Sequence, residues 1–416
     1  MQASRVSDRL TCTSSKGTQM TKAVIVDVVR IASGKGKPGG ALSGTHPVEL
    51  MAHVLRSIIE RNGLDPALVD DVIGGCVGQA GEQALNITRS AVLSAGFPDS
   101  VPATTIDRQC GSSQQAAHFA AQGIIAGAYD IVIAAGVESM SRVPMGFTTM
   151  GKDASGPGIA ARYPEGLINQ GISAELITSK WKFDRETLDA FAAQSHQRAA
   201  AAAAAGLFDR EIIPISVTNA AGETVSHTVD ETVRASTTAE GLAGLKPSFY
   251  SEKYAERFPQ AQWAITPGNS SPLTDGASAA LIMSEEMASK LGLTPRARFH
   301  SFSVVGDDPL LMLTAPIPAT HKVLARAGLS IDDMDTYEVN EAFAPVPLAW
   351  AHEFGADPAK LNPWGGAISL GHALGSSGTR LLATMVNHLE ATGGRYGLQT
   401  MCEGAGMANA TIIERI

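Results

Sequence analysis

Residues 104–123 read TTIDRQCGSSQQAAHFAAQG, an extended run that turns through a cysteine into a helix-like stretch. The extended part spans 101–106, and from Ser112 onward Ala116, Ala117, Phe119, Ala120, Ile124 and Ile125 recur at helical spacing. Cys110 therefore sits at or just before a helix N-terminus, where free backbone N–H groups and the helix dipole favour a thiolate. A buried cysteine at a strand end, acting as a small hydrophobe, fits this stretch equally well. The flanking sequence repeats the strand-then-helix rhythm. KAVIVDVV (22–29) reads as a strand, 47–61 as an amphipathic helix, 69–74 as a strand, 86–95 as a helix and YDIVIAAGVES (129–139) as a strand. The alternation predicts an α/β fold.

The C-terminal part replays this unit. NGLDPALVDDVI (62–73) aligns with AGLSIDDMDTYE (327–338), GSS at 111–113 with GSS at 375–377, and GAYDIVIAA (127–135) with GRYGLQTMC (394–402). Three matches in one order, at a nearly constant offset of about 265 residues, indicate a duplicated α/β half. Residues 141–267 interrupt the pattern with helical stretches at 172–180 and 185–205, a polar segment NAAGETVSHTVDETVR and a turn-rich TTAEGLAGLKPSF. Alanine is the best helix former and Gly206 follows as a stop signal, so the alanine run 199–205 reads as a packed helix. The predicted organisation is a first half over 21–140 plus 268–291, an inserted domain over 141–267 and a second half over 292–416.

A chain of 416 residues exceeds what one hydrophobic core usually serves, in keeping with this division. The net charge of −9 gives no overall positive field to collect phosphates, which excludes a general nucleic-acid binder but not a basic pocket for one phosphorylated ligand. Cys12, Cys76, Cys110 and Cys402 show neither paired nor zinc-type spacing, so no metal site and no disulfide framework is expected. Free thiols point to a reducing, cytoplasmic setting. No apolar run is long enough to insert in a membrane. Residues 1–20 lack the apolar core of a secretory signal; they faintly resemble a transit peptide and read as a disordered extension or an upstream start.

The duplication makes a geometric prediction. Cys110 precedes the first GSS helix and His372 precedes the second, within NPWGGAISLGHALGSSGTR (362–380). Related by a pseudo-twofold axis, the two helix starts face one floor and bring a cysteine to a histidine, the usual pair for generating a thiolate. The last strand supplies Cys402, entering EGAG, whose glycines permit tight backbone with exposed N–H groups. A packed strand-end cysteine is the alternative. Asn340 and Glu341, in YEVNEAFA (337–344), need partners if buried.

DRQCGSSQQA, NEAFA, GGAISLGHALGSSGTR and CEGAGMA, in this order and spacing, resemble the four signature blocks of the thiolases. The resemblance runs from about residue 22 to the C-terminus. It implies the thiolase fold, two duplicated α/β halves in a layered αβαβα arrangement with an inserted loop domain. It also implies a homodimer or homotetramer that holds no permanent cofactor and takes coenzyme A and acyl-CoA as substrates. Carried over by position, Cys110 resembles the acylated nucleophile, His372 its base and Cys402 the thiol that moves the α-carbon proton. Asn340 resembles the holder of an oxyanion-hole water, with His372 as the other donor. The backbone N–H groups of Cys110 and Gly404 resemble the second oxyanion hole. Ser271, in GNSSPLTDGA, matches the serine near the pantetheine; Met312 and Phe343 match acyl-pocket positions.

Three positions depart from the family pattern. Ala373 follows the histidine where proline is common, Ala405 replaces the middle glycine of the last block, and Asn169 stands where short-chain biosynthetic members often carry histidine. The last departure favours a degradative 3-ketoacyl-CoA thiolase of the β-oxidation type over an acetoacetyl-CoA-specific one. Cys402 argues against a decarboxylating ketoacyl synthase on the same fold, and nothing beyond the Cys–His pair favours a cysteine hydrolase. Retention of Cys110, His372, Asn340 and Cys402 argues against a silent lipid-binding relative.

Overall fold

The computed structural model describes residues 21–219 and 221–416. The expected disordered extension, 1–20, and Cys12 lie outside them. The extended apolar runs become strands: β1 (Ala23–Arg30), a short β2 (Gly34–Lys35), β3 (Asp71–Gly75), β4 (Ala103–Ile106) and β5 (Ile131–Ser139). They alternate with α1 (Pro47–Asn62), α2 (Ile87–Ser94) and α3 (Ser112–Ile125). The interrupting region holds α4 (Gly156–Arg162), α5 (Gln170–Trp181), α6 (Arg185–Ala204), the hairpin β6 (Ile215–Thr218) and β7 (Thr224–His227), α7 (Ala239–Ala243) and α8 (Glu252–Arg257). After it come β8 (Thr274–Ser284), α9 (Glu285–Leu291), β9 (Ala297–Gly306), α10 (Pro316–Ala327), β10 (Thr336–Val339), α11 (Pro345–Phe354) and α12 (Ala367–Leu370). The chain closes with α13 (Ser377–Thr392), β11 (Tyr396–Glu403) and β12 (Met407–Arg415). Cys402 is thus on the penultimate strand rather than the last, because Gly404–Gly406 close a hairpin that returns as β12.

The strands hydrogen-bond in the order β10-β11-β12-β9-β1-β8-β5-β3-β4. From the β1–β9 seam outward, β8, β5 and β3 on one side answer β12, β11 and β10 on the other. The outer pairs β3–β5 and β10–β11 are both parallel, and β8 and β12 both run antiparallel to their neighbours. The aligned segments 127–135 and 394–402 fall on β5 and β11, equivalent places in this pattern. The seam itself pairs only Val24 with Arg298 and Ile25 with Ala297, so the sheet is narrow where the halves meet.

Side-chain alternation builds the layers. β5 turns Val132 and Ala134 toward α3 and α13, and Ile131, Ile133, Ala135 and Val137 toward α1 and α2. Helices α3 and α13 share a core with strands of both halves, while α10 and α11 cover the far face of the second. The resulting stack is the αβαβα arrangement, and strands covered on both faces explain why β1, β5 and β8 are buried along their whole length.

Two glycines, Gly375 of the second GSS block and Gly378 just after it, permit the close approach of the central helices. A Cβ on Gly378 would lie 2.1 Å from Gln114 N in α3, and one on Gly375 would lie 2.6 Å from the carbonyl oxygens of Gly75 and Val137. The interrupting region is tied down by a buried guanidinium. Arg30 of β1 donates to Glu211 (2.7 Å) and to both oxygens of Asp230 (2.7 and 3.0 Å). Removing one member of such a buried pair costs about 3–5 kcal/mol.

Candidate active site

Cys110 is presented by a tight turn between β4 and α3. Gln109 adopts a left-handed φ of 47°, an uncommon conformation for a non-glycine residue that concentrates at functional turns. Asp107 accepts from Gln109 N (2.6 Å), Ser112 Oγ donates to the Gln109 carbonyl (2.6 Å), and Arg108 N donates to Ser112 Oγ (2.9 Å). The turn is fastened on both sides of the cysteine. Gln170, at the start of α5, lines the same cavity as Cys110 and acts to lower the thiol's pKa.

The second helix start brings His372 to the same place. Its backbone N–H donates to Thr274 Oγ1 (2.9 Å), and its Nδ1 lies 2.7 Å from Ser377 Oγ. Ser377 spends its one proton on the Ala373 carbonyl (2.9 Å), so it accepts from Nδ1–H and leaves Nε2 as the basic nitrogen. Asn340 Nδ2 approaches that Nε2 at 3.4 Å, and Asn340 is set at the end of β10 by its own N–H donating to the Thr400 carbonyl (3.1 Å). Glu341 faces away from the site and accepts from Ser195 Oγ (2.7 Å), Asn362 Nδ2 (2.9 Å) and Ile368 N (3.1 Å), fixing the segment that leads to His372.

Glu138 joins the halves beneath the turn. Its carboxylate accepts from Val77 N (3.0 Å), Gly78 N (2.9 Å), Gln83 Nε2 (2.9 Å) and, across the duplication, Gly375 N (2.9 Å).

A cavity of about 700 Å³ opens onto this floor. Cys110, His372, Gly404, Ala405, Ser271, Met312, Phe343 and Asn169 line it; Cys402 and Asn340, each 1% exposed, stand behind its wall. Most of the remaining lining is apolar, including Val77, Met140, Val143, Ile168, Phe249 and Leu374. Among the described residues, the N–H groups of Cys110 and Gly404 donate to no protein oxygen and remain free for a ligand.

Electrostatics correct one expectation from the sequence. The Cys110 thiol is pushed up to about 12, first by burial and then by the charge of Glu403, against which its own backbone N–H and Gln170 are too small a help. The helix start does not by itself make a thiolate, since the first free helical turn lies beyond Gly111 and the cysteine is buried. Burial, aided by the Arg380 charge, lowers His372 to about 3, so it is neutral and able to accept a proton. Cys402 is raised well above its ordinary value by burial and then by Cys110, which places the two thiols within each other's field.

Two family models match. Residues 23–286 match the thiolase N-terminal domain and residues 293–415 the thiolase C-terminal domain. The chain belongs to the thiolase family. It is 47% identical over 413 residues to the steroid 3-ketoacyl-CoA thiolase FadA6 of Mycobacterium tuberculosis, covering 97% of this chain and 96% of the relative. It is 44% identical over 401 residues to a 3-ketoacyl-CoA thiolase of Cronobacter sakazakii, covering 95% and 100%. Among solved structures, the acetyl-CoA acetyltransferase of Bacillus anthracis superposes with a TM-score of 0.85 at 37% identity, covering 95% of this chain and 99% of that one.

This thiolase brings Cys110, His372, Gly404, Ser271, Met312, Phe343 and Asn169 to one cavity, with Cys402 and Asn340 behind its wall and Glu341 turned away. Sequence reasoning passed over Ser377, Thr274, Gln170 and Glu403. Ser377 and Glu403 sat inside quoted blocks, but only the folded geometry pairs Ser377 with His372 and sets the unpartnered Glu403 carboxyl against Gly111. Asn169 caps α5, accepting from Ile172 N (3.1 Å), and so shapes the cavity rim through backbone. No helix among the described residues is long and apolar enough to cross a membrane, and no group of three or more His, Cys, Asp or Glu side chains among them could hold a metal ion.

Proposed function

We propose that this enzyme cleaves 3-ketoacyl-CoA with coenzyme A, giving acetyl-CoA and an acyl-CoA shortened by two carbons, and runs the reverse condensation. The observation that carries the reading is the convergence of Cys110 and His372 from two duplicated helix starts on a mostly apolar cavity of about 700 Å³, a size suited to a small-molecule site.

Cys110 attacks the 3-keto carbonyl while its proton passes to His372 Nε2. Neither the raised thiol nor the weakly basic imidazole favours a resting ion pair, so the transfer is coupled to attack, as the substrate oxygen takes up the negative charge. The free N–H groups of Cys110 and Gly404 serve one developing oxyanion; Asn340, through a water, and His372 serve the other. The bond between the α-carbon and the former keto carbon breaks, and its electron pair takes a proton from Cys402 to give acetyl-CoA. The thiol of coenzyme A then attacks the Cys110 acyl group and gives its proton to the Cys402 thiolate, and Cys110 leaves as thiolate and recovers the proton held on His372, which restores all three groups. A thioester intermediate separates the two steps because thiolate is a good leaving group.

Ser271 lies at the cavity wall where the pantetheine would run, its N–H donating to the Ala342 carbonyl (3.0 Å). Met312 and Phe343 close the acyl side, with Phe249 edge-on to Phe343 at 6.0 Å between centroids. Space of this kind, and a capping asparagine at 169, support six- to ten-carbon substrates at least as well as acetoacetyl-CoA. The name of the M. tuberculosis relative makes ring-bearing 3-ketoacyl-CoA the second class to assay. The division into 21–140 plus 268–291, 141–267 and 292–416 belongs to this proposal and agrees with the pairing of β1, β5 and β8 on one side of the seam.

Exposed Leu85, Leu93 and Phe119, at or on the helices packed against the edge strand β4, support a homodimer or homotetramer. The free thiols of Cys76, Cys110 and Cys402 suit the cytoplasm. Loss of 3-ketoacyl-CoA absorbance on adding coenzyme A, across chain lengths, tests the activity. No turnover of any 3-ketoacyl-CoA would overturn it, and turnover of the four-carbon substrate alone would overturn the chain-length reading.

A further inference from the structure

Glu403 follows Cys402 at the end of β11 and is fully buried, yet neither carboxyl oxygen has a hydrogen-bond partner among the described residues. An unpaired carboxyl in a dry place needs a reason. Its position suggests one. A Cβ on Gly111 would stand 2.1 Å from Glu403 Oε1 and 2.7 Å from Asn409 Nδ2, so the carboxyl lies against the backbone of the residue after Cys110. Asn409 Nδ2 donates to the Gly111 carbonyl (2.9 Å), closing the space from β12. A side chain at 111 would be expelled, and with glycine there the carboxyl packs behind the turn that presents the nucleophile.

The charged and titratable groups around it are few. The turn before α3 brings Arg108 and Asp107, its own strand brings Cys402, and Cys110 stands across Gly111; Glu138 lies beyond the cysteine. The start of α3 offers only Ser112 and Ser113, and β12 only the neutral Asn409. Arg108 does not hydrogen-bond the carboxyl, so no counter-charge neutralises it directly. A carboxylate and a thiolate in one desolvated pocket oppose each other's ionisation.

We propose that Glu403 is a positioning residue for the nucleophile: with its carboxyl protonated, Cys110 can lose its proton, and once the carboxyl ionises the two negative charges oppose thiolate formation. The inference rests on Cys110 being the nucleophile. Burial pushes Glu403 up to about 8, with Arg108 pulling the other way and Asp107 adding to the rise, so this control would act on the alkaline side of neutrality.

The test compares wild type with Glu403→Gln, which imitates the protonated carboxyl. Alkylation of Cys110 by iodoacetamide is followed by peptide mass from about pH 6 to about pH 9.5, with thiolysis measured on the same samples. A neighbouring charge shifts a titration by about one pKa unit or more, so the variant-to-wild-type rate ratio should rise about tenfold across the range. A constant ratio would leave Glu403 a packing residue and overturn the inference. Should the variant fail to fold, wild type alone decides. Its log rate should flatten near pH 8 as the carboxyl ionises, and a straight rise through that region overturns the proposal. Alkylation at Cys110 that leaves thiolysis intact would instead defeat the nucleophile assignment itself.

Discussion

Ser377→Ala should slow acylation of Cys110 without greatly disturbing the fold. Ser377 Oγ receives the Nδ1 proton of His372 at 2.7 Å while donating to the Ala373 carbonyl at 2.9 Å. That arrangement selects the tautomer whose Nε2 can take the thiol proton, and it strengthens as the imidazole becomes positive. A hydrogen bond to a charged group contributes about 1.5–3 kcal/mol. If the whole of it is realised as the proton moves, acylation slows roughly 10- to 150-fold. The unpaired Ala373 carbonyl adds a stability loss of about 1 kcal/mol, small beside a folded protein's total. Rapid-quench labelling by acetyl-CoA, read as acetyl mass on the Cys110 peptide, gives the rate directly. KM should move little, because Ser377 does not line the cavity. Acylation within about twofold of wild type would refute the reasoning, since the tautomer would then be set by something other than Ser377.

Cys402→Ala should keep rapid acetyl labelling of Cys110 while losing thiolysis and condensation by about 10²–10⁴-fold, the usual worth of a positioned acid or base; equal losses in both rates would remove Cys402 from the mechanism. Ala405→Gly should raise stability by about 0.5–1 kcal/mol, because relief of a left-handed alanine exceeds the entropy cost of glycine. Ala405 has φ 64°, and urea unfolding midpoints read the change. Thermal stability should peak near pH 6.5, where the gain from four histidines ends and the loss from two carboxyls continues. Burial holds His118 and His372 down to about 3 and His196 and His388 down to about 4, so the stability they contribute is lost as pH falls below the ordinary 6.5. Glu338 and Glu403, pushed up to about 8, contribute stability below 4.5 that is lost as pH rises through 8. A melting temperature that climbs steadily from pH 6.5 to pH 8 would contradict the two carboxyl shifts.

Much of the frame was legible in local pattern. The buried strands β1, β5 and β8 are long apolar runs, and α3 and α6 begin and end at the punctuation residues that mark them in the sequence. The duplication was visible because the glycine that opens each GSS block is in a place with no room for a side chain: a Cβ on Gly111 would meet Glu403 and Asn409, and one on Gly375 would meet the backbone of Gly75 and Val137. Harder to read was whatever depends on packing across the seam. That Glu138 ties Gly375 to the first half, that Ser377 orients His372 and that Glu403 lies behind Gly111 follow from contacts between residues far apart in sequence. Of the two readings the sequence left open at Cys110, the thiolate favoured by a helix start is opposed by burial, which pushes the thiol up. Burial is a property of the assembled layers, and it outweighs a dipole that can be inferred from one turn.

The central claim is that Cys110 carries the acyl group. Incubating the protein with an acyl-CoA, digesting it and weighing the peptides should add one acyl mass to the peptide containing Cys110, and Cys110→Ala should abolish both that mass and, by several powers of ten, turnover. Acyl mass on Cys76 or Cys402 alone, or turnover retained without Cys110, would contradict the account.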